Sequence, residues 1–204
     1  KKAIINYVAM LGWHPNSNNE VFSMNDLLKT FSIERIQKSG AIFDLKKLNW
    51  INSYYLKEMD LNIFQKLVDD YCIKTNTSLE FNDKQMSYFL KYIKNRINAL
   101  HEIQSHANLF GDNPNLIDEH QRILKNDSSL KIISYWINHL NAKDDSTITA
   151  MIDYCNNILN VKGKNLFFPL RILLIGETHG PDLHTIINIL GVKESIKRLK
   201  AWKH

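Results

Sequence analysis

Cysteine, long apolar runs and signal-peptide features are scarce or absent in this sequence of 204 residues. The two cysteines, Cys72 and Cys155, lack metal-ligand spacing, and we expect both to be buried, reduced thiols, as is usual in the cytoplasm. No apolar run approaches the roughly 18 residues that a membrane-spanning helix needs, so we expect no membrane partner. The first residues lack the charged-then-apolar pattern of a signal peptide. The chain begins with Lys1 rather than methionine, which we interpret as the start of a fragment.

Common catalytic motifs are missing as well. The sequence contains no G-x-S-x-G, no H-E-x-x-H and no phosphate-binding G-x-x-x-x-G-K-[ST]. One turn still offers catalytic groups, because His179 and His184 flank Asp182 at a predicted helix start. An enzyme acting through the turn from Thr178 to His184, with a metal or a general base, is therefore one hypothesis. In the alternative, Asp182 and Thr178 bond backbone amides at the helix entrance.

Apolar residues recur at helical spacing along most of the chain, which predicts an all-α protein, a multi-helix bundle of two to three small helical subdomains. Breaks in composition place these at residues 1–60, 61–115 and 116–204. The segment from Phe167 to Gly176 is ambiguous, because it could be a buried strand that leads into a glycine turn. No second glycine follows with dinucleotide-binding spacing, and no other strand candidates exist, so a short helix with Pro169 at its first position is favoured.

Basic and amide side chains concentrate on two predicted helices. Asp44 caps the first, which carries aromatics, asparagines and lysines. The second covers residues 83–100, and its polar face holds Lys91 and Lys94, with Arg96 nearby. The net charge of +5 favours an anionic partner, nucleic acid first. An ordinary solvated surface explains the same residues equally well.

Three blocks, in order, resemble bacterial-type glutamyl-tRNA synthetases. They are Ile5-Asn6-Tyr7-Val8-Ala9-Met10-Leu11-Gly12-Trp13; Lys38-Ser39-Gly40-Ala41-Ile42-Phe43-Asp44 running into Lys47-Leu48-Asn49-Trp50-Ile51-Asn52; and Gly163-Lys164-x-Leu166-Phe167-x-Pro169-Leu170-Arg171-x-Leu173-Leu174-x-Gly176 with Gly180-Pro181-Asp182-Leu183 after it. The blocks span almost the whole chain. By this resemblance the chain is the C-terminal half of such an enzyme, a stem-contact region followed by an all-helical anticodon-binding region.

The family's two ATP-binding signatures, H-I-G-H and K-M-S-K-R, do not occur in the sequence. The resemblance implies a parent enzyme, a class I glutamate–tRNA ligase, that activates glutamate with ATP and Mg²⁺ and esterifies the 3′ end of its tRNA. This fragment is expected to do neither, and to have no catalytic residues, no metal and no cofactor. The expected partners are tRNA-Glu, with tRNA-Gln left open, and the catalytic domain of the same polypeptide. The expected state is a cytoplasmic monomer.

The resemblance also implies which residues contact tRNA. The anticodon candidates are Arg171, Leu170, Pro169, Arg96 and Lys164, and the stem-contact candidates are Lys47, Asn52 and Trp50. Two of these residues could have a structural role instead. A tryptophan in a helix is usually a core residue, which could apply to Trp50, and Arg171 could hold two helices together in a buried salt bridge. The alternative to the synthetase hypothesis is a stand-alone helical module that binds RNA or protein and has no catalytic activity.

Overall fold

The structure is a computed structural model, and it describes residues 1–37, 40–111, 113–140 and 145–202. Lys38 and Ser39 of the second sequence block lie outside these ranges. Over the described residues the chain forms α-helices, two short 3₁₀ helices and one isolated bridge between Trp13 and Ile36. The all-α prediction is therefore confirmed. None of the described helices is long and apolar enough to cross a membrane.

The chain divides into two compact units, which we call unit 1 (residues 1–78 and 93–103) and unit 2 (residues 79–92 and 104–204). The predicted division into three subdomains stays a prediction. The α-helices of unit 1 are α1 (Lys2–Gly12), α2 (Met24–Thr30), α3 (Leu45–Glu58) and α4 (Leu61–Thr75). Unit 2 contains most of α5 (Asp83–Lys94) and of α6 (Ile103–Asn108), followed by α7 (Asp118–Leu124), α8 (Asp127–His139), α9 (Asp145–Asn157), α10 (Lys164–Ile175), α11 (Leu183–Leu190) and α12 (Val192–Ala201).

Unit 1 is built around α1 and α3. Tyr7 packs with Ala3 and Ile51 in a small apolar core, and its hydroxyl accepts a hydrogen bond of 2.5 Å from the amide of Asp44. The Asp44 carboxylate in turn accepts from the amides of Lys46 and Lys47, so it caps α3 as predicted. Two of the sequence blocks are thus joined through one tyrosine hydroxyl.

A fully buried amide fixes the segment between α1 and α2. The Asn6 side chain accepts from the amide of Phe22 at 2.6 Å and donates to the carbonyl of Glu20 at 2.8 Å. Tyr55 adds a third partner, because its hydroxyl lies 3.2 Å from Asn6 Oδ1. Asn6 is therefore a structural residue. Its side chain pairs with backbone groups of Glu20 and Phe22, which lie outside any helix and have no helical hydrogen-bond partners.

Unit 2 is organised by α10, which packs against α7, α8, α11 and α12. Its sequence is almost wholly apolar on the sides that face these helices, where Leu166, Leu173 and Leu174 are buried. Gly176 ends the helix in a left-handed conformation with φ of 77°, which glycine adopts without strain. The helical interpretation of the ambiguous segment is confirmed, although α10 begins five residues before Pro169.

Candidate nucleic-acid interface

One side of α10 remains accessible and combines positive charge with aromatic rings. Phe167 and Phe168 each lie three or four residues from both Lys164 and Arg171, which places the four residues on one side of the helix. Lys164 is exposed and the other three are half-buried. We call these four residues the α10 face. It presents two rings between two cations.

Arg171 is held in place by two contacts within unit 2. Its Nε donates to the carbonyl of Pro181 at 2.9 Å, and its guanidinium carbon lies 5.4 Å from the centre of the Phe167 ring. Burial lowers the pKa of Arg171, and the nearby carboxylate of Asp182 opposes that effect. Arg171 therefore fastens α10 to the turn before α11 through a backbone carbonyl, and the predicted alternative of a buried salt bridge is not the contact observed.

The turn between α10 and α11 adds a third ring to this region. His179 packs against Phe168, with 5.5 Å between the ring centres, and its Nδ1 lies 2.9 Å from the hydroxyl of Thr178. The carboxylate of Asp182 caps α11 by accepting from the amide and the hydroxyl of Thr185, each at 2.8 Å. Burial raises the pKa of Asp182, but backbone and Thr185 hydrogen bonds and the nearby His184 together outweigh it, so the pKa is lowered overall.

The metal hypothesis for this turn receives no support from the described part of the chain, where no three histidine, cysteine or acidic residues gather to hold an ion. Asp182 instead caps α11, as the alternative hypothesis predicted. His184, the second histidine, lies 3.4 Å from the Thr149 hydroxyl.

Two of the predicted anticodon residues do not reach the surface. Leu170 and Pro169 are both buried. Pro169 is the sixth residue of α10 rather than its first, so the expected position of the helix start was wrong. These two side chains can shape and orient the α10 face, whereas its accessible side chains are Lys164, Arg171 and the two rings.

Sequence reasoning missed Phe167 and Phe168, and it singled out His179 only as a metal ligand or general base. The signal for the two phenylalanines was available, because they lie three and four residues after Lys164, and Arg171 lies three and four residues after them. A helical wheel therefore places them beside the two cations. His179 gave no such signal, since its contact with Phe168 depends on how the turn after Gly176 folds.

The second candidate surface lies on α3 in unit 1. Lys46, Trp50, Tyr54 and Lys57 are all exposed, and their spacing of four, four and three residues places them on one side of the helix, which we call the α3 face. Trp50 is 48% exposed, so the alternative that makes it a core residue is wrong, whereas Leu48 does pack against the core. Cations and aromatic rings again alternate.

The other two stem-contact candidates are engaged within unit 1. Lys47 forms a salt bridge of 2.5 Å with Glu20, and both side chains are partly exposed. Asn52 donates to the carbonyl of Asn98 at 2.6 Å. Their charged or polar ends are therefore already used to hold α3 against other segments of the same unit.

Arg96 occupies a different setting from the one predicted. The helix expected over residues 83–100 ends at Lys94, and exposed Arg96 lies in the turn that follows, where its amide donates to the Ile93 carbonyl at 2.8 Å. Arg96 belongs to unit 1, whereas Arg171 and Lys164 belong to unit 2. Four of the five predicted anticodon residues therefore lie on α10 in unit 2, and the fifth, Arg96, lies in unit 1.

Exposed apolar side chains are frequent in the first 45 residues. Ile4 and Val8 on α1 are each 57% exposed, Leu28 and Ile33 are 75% exposed, and Ile42 is 89% exposed. Single exposed apolar residues are normal, but such a concentration in one short region is typical of an interaction surface.

Comparison with known proteins identifies both regions of the chain. Residues 55–203 match the family described as "Anticodon binding domain", and residues 1–50 match "tRNA synthetases class I (E and Q), catalytic domain". A glutamate–tRNA ligase of Natranaerobius thermophilus is 34% identical over 98% of this chain and 43% of its own length. One from Clostridioides difficile is 34% identical over 100% of this chain and 43% of its own length.

Solved structures agree on the fold. The crystal structure of a glutamate tRNA ligase from Elizabethkingia meningosepticum, in complex with its amino acid, superimposes with a TM-score of 0.84. It is 24% identical, and the match covers 98% of this chain and 40% of that chain. The chain thus spans less than half the length of the relatives that it matches. It belongs to the glutamate–tRNA ligase family of class I aminoacyl-tRNA synthetases, and it comprises the anticodon-binding domain of that family together with a small part of the catalytic domain.

Proposed function

We propose that this chain is the tRNA-binding part of a glutamate–tRNA ligase and that it binds tRNA-Glu through two surfaces. The α10 face contacts the anticodon loop, with Lys164 and Arg171 as the cations, while the α3 face contacts the stem. The observation that carries the proposal is the α10 face itself, an accessible row of two cations and two rings on a helix within the matched anticodon-binding domain. Unpaired RNA bases are bound by this combination of side chains.

The proposed mechanism is positional. The helical surfaces hold the stem and the anticodon loop, and they thereby orient the acceptor end toward the active site of the parent enzyme. In this proposal the parent uses ATP and Mg²⁺ to activate glutamate and then esterifies the tRNA. The sequence contains neither ATP-binding signature, and the described residues offer no cluster of metal ligands, so in this proposal the rest of the parent enzyme holds both groups.

Arg171 serves the proposed anticodon contact in two ways. Its Nε is used by the Pro181 carbonyl, while its two terminal nitrogens make no hydrogen bond with the described residues. Those nitrogens can donate to a phosphate or to a base edge. Buried Pro169 and Leu170 fix the backbone from which Arg171 projects, which is the role we propose for them in the anticodon site. Exposed Arg96, in unit 1, is proposed as a separate phosphate contact.

On α3 we propose that Trp50 and its flanking cations contact the stem, with Lys47 and Asn52 as neighbouring positions. A half-exposed tryptophan can pack against a ribose, while Lys46 and Lys57 lie close to phosphates. The net charge of +5 supports association with RNA at low and moderate salt.

The exposed apolar residues near the start of the chain suggest the second partner. We propose that Ile4, Val8, Leu28 and Ile33 pack against the remainder of the catalytic domain in the full-length enzyme. Two observations support this: the family's catalytic-domain model matches only residues 1–50, and the relatives are more than twice as long as the chain. The proposed enzyme is a monomer that acts in the cytoplasm, where its unpaired Cys72 and Cys155 stay reduced.

Filter binding with tRNA-Glu and an unrelated tRNA tests the proposal. We expect a clear preference for tRNA-Glu at moderate salt. The logarithm of the affinity should fall by about 0.7 to 0.9 per phosphate contact for each tenfold rise in salt concentration. Equal affinity for both tRNAs would contradict the proposal. Including tRNA-Gln in the same series decides whether the enzyme accepts one tRNA or two.

The Arg171→Ala variant tests the α10 face. We expect its affinity for tRNA-Glu to fall about tenfold, because a charged hydrogen bond contributes roughly 1.5 kcal/mol, while circular dichroism shows unchanged helicity. The matched control is Lys193→Ala, which removes one exposed positive charge from α12 of the same unit. If both variants weaken binding equally, net charge rather than the α10 face is responsible. A loss of helicity in Arg171→Ala would make Arg171 a purely structural residue.

A further inference from the structure

Three aromatic rings form a stack on α8 and α9 that includes no residue of the α10 face. The ring centre of Tyr135 lies 4.3 Å from that of His139, at an interplanar angle of 25°. It lies 4.5 Å from that of Tyr154, and those two rings are nearly parallel at 7°. Two rings cannot share one side of Tyr135 at such distances without overlapping. Tyr135 is therefore the middle ring, and His139 and Tyr154 cover its opposite sides.

The outer rings of this stack are accessible. Tyr154 is 39% exposed, His139 is exposed and Tyr135 is half-buried. The buried contacts of the two helices come from other residues, among them Trp136 on α8 and Cys155 on α9. Tyr135 and Tyr154 add a contact between the helices, but His139 is on the same helix as Tyr135, one turn later. Its stacking therefore extends the column of rings without joining two elements.

The surroundings of the rings suit a nucleotide. Lys131 is exposed one turn before Tyr135, Asn138 is exposed directly before His139, and Asn157 is exposed three residues after Tyr154. Ile158, one turn after Tyr154, is 67% exposed. A cation for the phosphate, amides for base edges and a flat ring for the base are the groups with which proteins hold unpaired nucleotides.

We propose that the Tyr135–His139–Tyr154 stack is a second RNA contact, on which an unpaired base of the anticodon loop stacks against the outer side of Tyr154. The inference rests on the proposed function, because it takes the ligand to be tRNA. It adds a site that neither the sequence blocks nor the α10 face includes. Stacking on an aromatic side chain tolerates any base, so this site contributes affinity, while hydrogen bonds elsewhere select the base.

The test pairs protein variants with RNA variants. The RNA is a short hairpin with the anticodon-loop sequence of tRNA-Glu, made intact and with an abasic nucleotide at each loop position in turn. The proteins are the unaltered chain, Tyr154→Leu and Tyr154→Trp. The matched control is Tyr71→Leu, which alters a half-buried tyrosine on α4 in unit 1. Thermal unfolding of every variant shows whether the fold is preserved.

We expect Tyr154→Leu to bind the intact hairpin about tenfold more weakly, and Tyr154→Trp and Tyr71→Leu to bind it as the unaltered chain does. One abasic position should weaken binding by the unaltered chain to the same extent and should cause no further loss with Tyr154→Leu. That non-additivity is the signature of a base stacked on Tyr154.

Two results overturn the inference. If Tyr154→Leu binds as tightly as the unaltered chain, or loses the same factor with every hairpin including all abasic ones, no base stacks on Tyr154. The proposed function survives both results, because tRNA-Glu is still bound. If the unaltered chain binds neither the hairpin nor tRNA-Glu, the proposed function and the inference fail together.

Discussion

Replacement of Arg198 by methionine is expected to destabilise unit 2. Arg198 is 3% exposed, and its guanidinium donates to three backbone carbonyls. Nη1 bonds the Leu174 carbonyl at 2.7 Å, and Nη2 bonds the carbonyls of Phe110 at 3.1 Å and of Gly111. One side chain thus joins the end of α10 to the turn after α6. Methionine keeps much of the length and removes every donor.

The expected loss follows from the groups left without partners. The bonds to Leu174 and Phe110 are buried, and each buried carbonyl that loses its donor costs about 1–3 kcal/mol. The bond to Glu194, at 3.0 Å, contributes less, because the Glu194 side chain is 31% exposed and its charge is partly solvated. Removal of the desolvation cost of the guanidinium offsets part of the loss. We therefore expect the free energy of unfolding to fall by roughly 3 kcal/mol.

Thermal unfolding and hydrogen exchange measure this effect together. For a chain of this size, about 3 kcal/mol lowers the midpoint by roughly 6–12 °C. Hydrogen exchange should accelerate in peptides from α10, α12 and the Phe110–Gly111 turn, because these are the segments that Arg198 joins. The control is Glu194→Gln, which leaves the three carbonyl bonds intact and should cost less than about 1 kcal/mol. If Arg198→Met and Glu194→Gln have equal, small effects, the carbonyl contacts do not stabilise unit 2.

Two further predictions concern single polar groups. Asn6→Leu should lower the stability of unit 1 by about 2–4 kcal/mol in urea unfolding, because it leaves the buried amide of Phe22 without an acceptor; an unchanged midpoint would contradict this. The lowered pKa of Asp182 predicts a contribution to stability that is complete above about pH 5 and declines as the pH falls through the folded pKa. The Asp182→Asn variant keeps a side chain that caps a helix but loses the charge. It should therefore be less stable than the unaltered chain near neutral pH and no less stable at about pH 2. A difference in stability that does not depend on pH would refute the role of the charge.

The helices were predictable because their signals are local. Asp44 caps α3 where the sequence places it, and Gly176 ends α10. The end of α5 was not predictable in the same way. Ile97 continues the apolar spacing of that helix and is fully buried, yet the helix has already ended at Lys94. Apolar spacing records which residues are buried, and a turn followed by a 3₁₀ helix can bury the same residues.

The start of α10 shows a similar limit. Proline is favoured in the first turn of a helix, and this preference led to Pro169 as the first residue. The chain instead begins the helix after Gly163, whose positive φ of 57° sets the entry, and Pro169 is accommodated inside it. Because Pro169 has no backbone N–H, α10 lacks one hydrogen bond to its preceding turn. The burial of the apolar sides of α10 compensates for that loss.

For the candidate site, the resemblance proposed the segments, and the contacts in the structure rank the side chains within them. Lys47 and Asn52 use their polar ends on Glu20 and on the Asn98 carbonyl, so an RNA contact by either must first break an internal bond. The exposed Lys46 side chain does not have to break an internal bond in order to contact RNA, and Trp50 already presents about half of its surface to solvent. Binding energy is greatest where no existing contact has to be lost. We therefore expect alanine substitution of Lys46 or Trp50 to weaken tRNA-Glu binding more than substitution of Lys47 or Asn52, and the reverse order would show that the internal contacts open when RNA binds.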